Sequence, residues 1–347
     1  MTAEAFRSTV LDGGGAEELG MFAGRPLCVV QLDDGPDIGP LAAFLPCMVA
    51  GVVAGPTGGI AVPDIDLLLT DDRSARSPWV TCRDIASAVD GLDACCRASP
   101  LAAIALAQLL RLSGRLDVAD GLAAESFVYS MLQAGPEHRA WLAGHPRRGH
   151  TATGATAATK DPVTTGRHDD VLSISLDRPE VHNAYNAAMR DALAASLQVA
   201  ALDPTVHRIV IDGAGPSFCS GGDLQEFGTA TDPATAHAVR ITRGAAIWMD
   251  RCADRITVRV HGACIGAGIE LAGFARRVVA DPTSYFQLPE VAMGLIPGAG
   301  GTVSLPRRIG RQRTAYLAIG GEVLDAATAL DWGLVDEAAT ADGDSPP

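Results

Sequence analysis

The second half of the sequence predicts an α/β fold with a largely parallel sheet, on three observations. The run Val171-Leu172-Ser173-Ile174-Ser175-Leu176 alternates apolar and polar residues, the period of a half-buried strand. Helical spacing follows at Met189, Leu193 and Leu197, and His207-Arg208-Ile209-Val210-Ile211-Asp212 then returns to strand. Further strands at Ile256 to Val260 and at Arg277 to Ala280 continue to alternate with helical stretches. Strands separated by helices build parallel sheets, because each crossover lays a helix on the sheet face.

The composition narrows the possible functions. A chain of 347 residues with 48% hydrophobic content can fill one large or two ordinary cores. The net charge of −14 argues against a nucleic-acid groove, which needs a basic surface. Lys160 is the only lysine, so phosphate contacts must come from arginine or backbone N–H groups. No apolar run reaches the roughly 18 residues of a membrane span. The N-terminus lacks the apolar stretch of a secretory signal, so a cytoplasmic location is expected. The eight cysteines (28, 47, 82, 95, 96, 219, 252, 264) form no CxxC pair, which predicts reduced, buried thiols and no metal site.

A boundary is expected at His150 to Arg167, a Thr/Ala/Gly-rich stretch without periodicity. Taking residues 149–168 as a linker divides the chain into modules 1–148 and 169–347. In the first module, Leu27 to Leu32 and Asp66 to Leu69 have strand character. Ile85 to Leu110 reads as one or two helices, with Pro100 placed for a helix start, and Leu122 to Leu142 reads as helical. The first module is therefore expected to be mainly helical.

The chemistry concentrates in the second module. Val260-His261-Gly262-Ala263-Cys264-Ile265-Gly266-Ala267-Gly268-Ile269-Glu270 leaves a strand and opens a helix, where free N–H groups favour developing negative charge. A second turn, Ser217-Phe218-Cys219-Ser220-Gly221-Gly222-Asp223, precedes it. Tyr285-Phe286-Gln287-Leu288-Pro289-Glu290 and Gly294-Leu295-Ile296-Pro297-Gly298-Ala299-Gly300-Gly301-Thr302 follow. Taken singly, Glu270 is an ordinary acid at a helix start and Glu290 an ordinary turn residue. Cys219 lies in a glycine-rich turn, but no His or Asn is placed in sequence to activate it.

In this order and spacing, the segments resemble the crotonase (enoyl-CoA hydratase/isomerase) superfamily. Arg178-Pro179-Glu180-Val181-His182-Asn183-Ala184 and Leu330-Asp331-Trp332-Gly333-Leu334-Val335-Asp336-Glu337 add to the likeness, which covers nearly all of 169–340. The resemblance implies a ββα spiral core acting on a coenzyme A thioester, with no other cofactor. It implies oxyanion-hole amides at Ser220 and Ala267 and catalytic carboxylates at Glu270 and Glu290. Arg178, Ala184, Cys219, Gly221, Gly222, Asp223 and Gly266 fall at positions that would cradle the substrate and its CoA moiety. Retention of both glutamates favours hydration of a 2-enoyl-CoA. A double-bond isomerase, a cofactor-independent arylacetyl-CoA oxygenase and a non-catalytic CoA-binding scaffold are the other readings. A homo-oligomer, a trimer or a dimer of trimers, is what the family implies.

Two departures stand out. Ala267 replaces a glycine common in hydratases, and the helices that follow the Gly333-Leu334-Val335 region in the family have no counterpart after it here. Segments like those helices occur instead in the first module, at Ala98 to Ala107, Gly121 to Phe127 and Pro136 to Ala143. Two expectations stand: a degenerate crotonase-like first module that supplies capping helices to the second, within the chain or across a subunit contact, with Arg147 and Arg148 positioned for CoA phosphates, or a generic helical appendage.

Overall fold

Two parallel sheets organise the chain, one in each module, in a computed structural model describing residues 1–12, 15–32, 37–145, 161–230 and 232–339. The first sheet comprises β1 (Leu27–Gln31), β2 (Met48–Val53), β3 (Leu67–Thr70) and β4 (Val80–Thr81), in that spatial order. All its pairings are parallel, with Leu27 opposite Met48, Ala50 opposite Leu67 and Leu69 opposite Val80. Alternate residues enter different cores. Met48, Ala50, Val52, Leu67 and Leu69 point to a core shared with the second module. Val49, Val53 and Leu68 meet Phe6 and Trp79 on the other face. Burial on both faces explains why β2 and β3 read as unbroken apolar runs.

The helices of this module are α1 (Ala3–Leu11), α2 (Gly15–Glu18), α3 (Gly39–Ala42), α4 (Ile85–Ala98), α5 (Pro100–Ser113), α6 (Val118–Gln133) and α7 (Pro136–Gly144). Asp84 and Asp117 cap α4 and α6 through their side chains, and α5 and α7 begin on proline. The mainly helical expectation thus holds for 85–144. It fails before residue 82, where β2 and β4 complete a sheet that the sequence reading left half-formed.

The second module contributes β5 (Val163–His168), β6 (Val171–Leu176), β7 (Arg208–Gly213), β8 (Ile256–Val260), β9 (Ala263–Ile265), β10 (Arg277–Ala280), β11 (Tyr285–Gln287), β12 (Leu324–Asp325) and β13 (Glu337–Ala338). Its six-stranded sheet runs β13-β10-β8-β7-β6-β5 and is parallel except for the β5–β6 pair; β12-β11-β9 form a small second layer. The helices are α8 (Ala187–Leu202), α9 (Pro233–Arg243), α10 (Ala246–Arg251), α11 (Ala267–Ala272), α12 (Gly301–Ile309), α13 (Arg311–Gly320) and α14 (Ala326–Trp332). Strand β5 corrects the linker boundary: residues 163–168 form an ordered edge strand, exposed at every position but Val163. That exposure explains its polar, linker-like composition. Residues 149–160, with Arg147 and Arg148, and the tail from 340 lie outside the described residues.

The modules share one apolar core. Helices α12 and α13 pack against α4, α5 and α6, and buried side chains from Leu27 to Val335 form a single cluster. Polar contacts cross the same boundary. Arg313 Nε donates to the Trp79 carbonyl at 3.1 Å and Gln312 Nε2 to that of Ile65 at 3.2 Å. The capping helices therefore reach the second module within one chain. Among the described residues no single helix is long and apolar enough to cross a membrane.

A fragment of residues 169–347 would expose the faces of α12 and α13 that α4, α5 and α6 cover. It is expected to be insoluble, or to bind a hydrophobic dye and lack a cooperative thermal transition. Co-expression with residues 1–148 is expected to restore that transition.

Candidate active site

The two sequence turns meet because β9 takes a neighbour from each side. Cys219 bridges to Cys264, its N–H donating to the Ala263 carbonyl at 3.0 Å and its carbonyl accepting from Ile265 at 2.9 Å. This places the 217–223 turn beside the start of α11. The turn is clamped on its other side by the 178–184 loop. Asn183 is fully buried: its Oδ1 accepts from Arg178 N at 2.8 Å, and its Nδ2 donates to the carbonyls of Ala214 and Ser217 at 2.9 and 2.8 Å. Arg178 donates through its guanidinium to the Ala184 carbonyl and to Asp223, the latter at 3.1 Å. Arg178, Ala184, Gly221, Gly222 and Asp223 are thus brought together as expected, with the charge of Arg178 directed to Asp223 instead of standing free.

The two expected oxyanion amides differ. The Ala267 N–H, the first of α11, has no acceptor among the described residues, whereas Gly266 N donates to Gln287 and Glu270 N to Gly266, both at 2.9 Å. The Ser220 N–H donates to the His182 carbonyl at 3.0 Å. Of the two amides, that of Ala267 is a free donor and that of Ser220 an engaged one. Cys219 is buried, and burial pushes its thiol up to about 12, far from a reactive thiolate. His261 is held by the Gly215 carbonyl at 2.9 Å and acts as a polar-bonded histidine.

Three carboxylates converge, one more than the sequence reading foresaw. Glu270, on α11, accepts at Oε2 from Ala299 N at 2.7 Å and Gly301 N at 3.0 Å. Glu125, on α6 of the first module, accepts from Gly300 N at 2.7 Å and Thr302 N at 3.0 Å, and from the Thr302 hydroxyl at 2.7 Å. Four successive amides leading into α12 are thereby shared alternately between two acids from two modules. Glu290, at the end of the β11 segment, has a solvent-shielded Oε2 with no hydrogen-bond partner. Glu125 and Tyr129 were missed because their signal, a glutamate and a tyrosine one turn apart on a helix facing the cavity, is common in any amphipathic helix.

Burial pushes all three carboxyls above their ordinary range. Glu290 rises to about 8 and Glu125 to about 7, the latter opposed by its Thr302 and Gly300 hydrogen bonds. Glu270 rises well above the usual carboxylate range, through burial first and then through the charges of Glu290 and Glu125. Close approach of Glu290 depends on Gly266. That residue has φ +49°, and a Cβ there would lie 2.4 Å from Glu290 Oε1.

These groups line a cavity of about 960 Å³, walled by Glu125, Tyr129, Ala267, Glu270 and Glu290 and edged by Gly222 and Asp223. Arg178, Ala184, Cys219, Ser220, Gly221 and Gly266 lie outside its lining.

Residues 166–343 match the sequence profile of the Enoyl-CoA hydratase/isomerase family. The chain belongs to this family. Its relatives include a probable enoyl-CoA hydratase EchA14 of Mycobacterium tuberculosis, 35% identical over 178 residues, which are 51% of this chain and 69% of that protein. They also include the 1,2-epoxyphenylacetyl-CoA isomerase of Escherichia coli, 34% identical over 48% of this chain and 64% of that protein. Among solved structures, a putative enoyl-CoA hydratase/isomerase from Mycobacterium abscessus is 35% identical, with a TM-score of 0.48 over 51% of this chain and 70% of that one. The matched span holds Glu270, Glu290 and both turns of this family member. Glu125 and Tyr129 lie outside it.

Two outcomes follow from the geometry. Gly266→Ala is strained twice, by its φ and by the Glu290 carboxylate, and is expected to lower turnover at least a hundredfold, read from steady-state kinetics. The raised carboxyls bind more protons folded than unfolded, so their contribution to stability is present at low pH and is lost as pH rises through about 8. The thermal midpoint is therefore expected to fall by several degrees between pH 6 and pH 9, and Glu290→Gln to flatten that decline.

Proposed function

We propose that this enzyme adds water across the double bond of a 2-enoyl-CoA. The observation that carries the reading is the pairing of Glu270 and Glu290 in one cavity with the free N–H of Ala267. The thioester oxygen sits at the Ala267 amide, with Ser220 as second donor once the substrate displaces the His182 carbonyl. One such donor is typically worth about 2.7–4 kcal/mol in the barrier. Burial and its acidic neighbours raise Glu270 even more than Glu290, but Glu270 receives two N–H bonds that favour its ionised form and Glu290 Oε2 receives none, so we assign the negative charge that the pair shares to Glu270 on that geometry. Glu270 then draws the proton from water as that water attacks Cβ. Glu290, holding its proton near neutrality, delivers one to Cα as the enolate collapses. Hydration needs only acid–base chemistry and a CoA thioester, and no further cofactor.

Isomerisation shares the oxyanion site, and the likeness to a relative named an enoyl-CoA isomerase/hydratase supports it as the second reading. It needs only proton transfer between carbons and no water. The first module, a parallel sheet followed by four helices, fits a crotonase-like half that has lost its glycine turns and now serves as a cap.

The test is loss of conjugated-enoyl absorbance with crotonyl-CoA and longer 2-enoyl-CoAs, with products checked by mass spectrometry for added water. Glu270→Gln and Glu290→Gln are each expected to cost 10²–10⁴-fold in kcat, as is typical for a general acid or base. Unchanged turnover in both would remove the assigned roles, and a shifted double bond without added water would select isomerisation. The pH profile of kcat/KM is expected to fall on its alkaline side near 8, as Glu290 gives up its proton.

A further inference from the structure

The cavity wall carries a second charged feature that the hydration chemistry leaves unused. Of the two arginines lining the cavity, Arg190 is paired with Asp191 at 2.8 Å. Arg240, on α9, is different. Its guanidinium donates through Nε to the Ser126 hydroxyl at 3.2 Å and through one terminal nitrogen to the Ser130 hydroxyl, and it lies 4.5 Å from the centre of the Tyr129 ring. Among the described residues its other terminal nitrogen meets no acceptor and no carboxylate pairs with it. Glu125 is a nearby acid, but its oxygens are committed to Gly300 and Thr302.

The seat of this arginine is built. Ser126 and Ser130 are buried, one turn apart on α6, and Ser126 is itself held by His237 Nδ1 at 2.9 Å. Phe127 stacks on His237 at 4.2 Å and fixes that ring. Two neutral hydroxyls and an aromatic face orient a cation without neutralising it. A half-buried guanidinium with an open edge on a cavity is suited to a planar, two-oxygen anion. Glu125, Tyr129 and Gln133 follow at four-residue spacing along the same helix, a line of about 12 Å. Arg240 reaches from Ser126, next to Glu125 in sequence, to Ser130, one turn further along α6.

We propose that Arg240 is a specificity residue that receives a carboxylate at the far end of the acyl chain, so that the preferred substrates are ω-carboxyacyl-CoAs. This rests on the cavity being an acyl-CoA site, and it does not depend on whether the reaction is hydration or isomerisation.

Binding separates the possibilities. The probes are saturated, unreactive ω-carboxyacyl-CoAs and n-acyl-CoAs of matched length, titrated calorimetrically into the full-length protein. Wild type is expected to favour the carboxylated chain of best length by tenfold or more. Arg240→Gln is expected to bring that ratio close to one, and Arg240→Lys, which keeps the charge but loses the fork, to leave an intermediate ratio. Thermal unfolding of each variant checks the fold, and Arg240→Lys carries the test should Arg240→Gln fail to fold. Equal affinity for both series in wild type overturns the proposal, as does a preference for hydroxyl-ended chains. An equal loss for both series in Arg240→Gln also overturns it, and places the arginine on the CoA phosphates. Tight, Arg240-dependent binding without turnover of the unsaturated analogues sinks the hydratase reading and leaves this one standing. Absence of binding by any acyl-CoA sinks both.

Discussion

The structure depends on how the backbone amides ahead of helix α12 are satisfied. Ala299 and Gly301 donate to Glu270, and Gly300 and Thr302 donate to Glu125. A helix start leaves its first N–H groups without internal partners, and burial makes such orphans costly. Here the partners come from two places far apart in the chain, 145 positions between Glu125 and Glu270. The 299–302 segment therefore has all four of these amides satisfied only with α6 of the first module docked. The close fit of Gly298 to the Tyr129 ring binds the same two pieces.

That arrangement sets the electrostatics. A helix N-terminus offers about half a positive charge, too little to offset two ionised carboxylates and a third nearby. Arg240 adds a cation beside Glu125, but without direct contact. Burial lifts Glu125, Glu270 and Glu290 together, and the charges of neighbouring acids add to the rise at Glu270 and Glu290. A cluster that holds protons at neutrality is unfavourable for stability at high pH and suited to proton transfer beside a thioester. The orphaned Oε2 of Glu290 is a local cost that the surrounding core carries.

The second module was largely legible in sequence because its signals are local. Alternation marked β6, helical spacing marked α8, and glycines fell where the chain must approach a carboxylate or another strand. The 149–168 boundary was misplaced at its end because an exposed edge strand such as Thr164-Thr165-Gly166-Arg167 has the composition of a linker. Strand β2 was overlooked because burial on both faces erases the alternation that marks a strand. The engagement of Ser220 N with His182 was invisible, since it depends on two left-handed residues, His182 and Asn183, that fold the 178–184 loop back on the turn.

What sequence could not supply was the function of a contact between modules. Glu125 sits in an ordinary amphipathic helix, and only the docking of α6 onto α12 turns it into the second acceptor for that helix. The same docking positions Ser126, Tyr129 and Ser130, and so decides where Arg240 points. One helix of the first module thus holds the start of α12 through Glu125 and the guanidinium of Arg240 through Ser126 and Ser130. Glu125, Glu270 and the seat of Arg240 therefore meet at one packing contact, that of α6 on α12. The first module, which lacks the glycine turns and the glutamate pair, completes the hydrogen bonding of α12, the helix whose leading amides also hold Glu270.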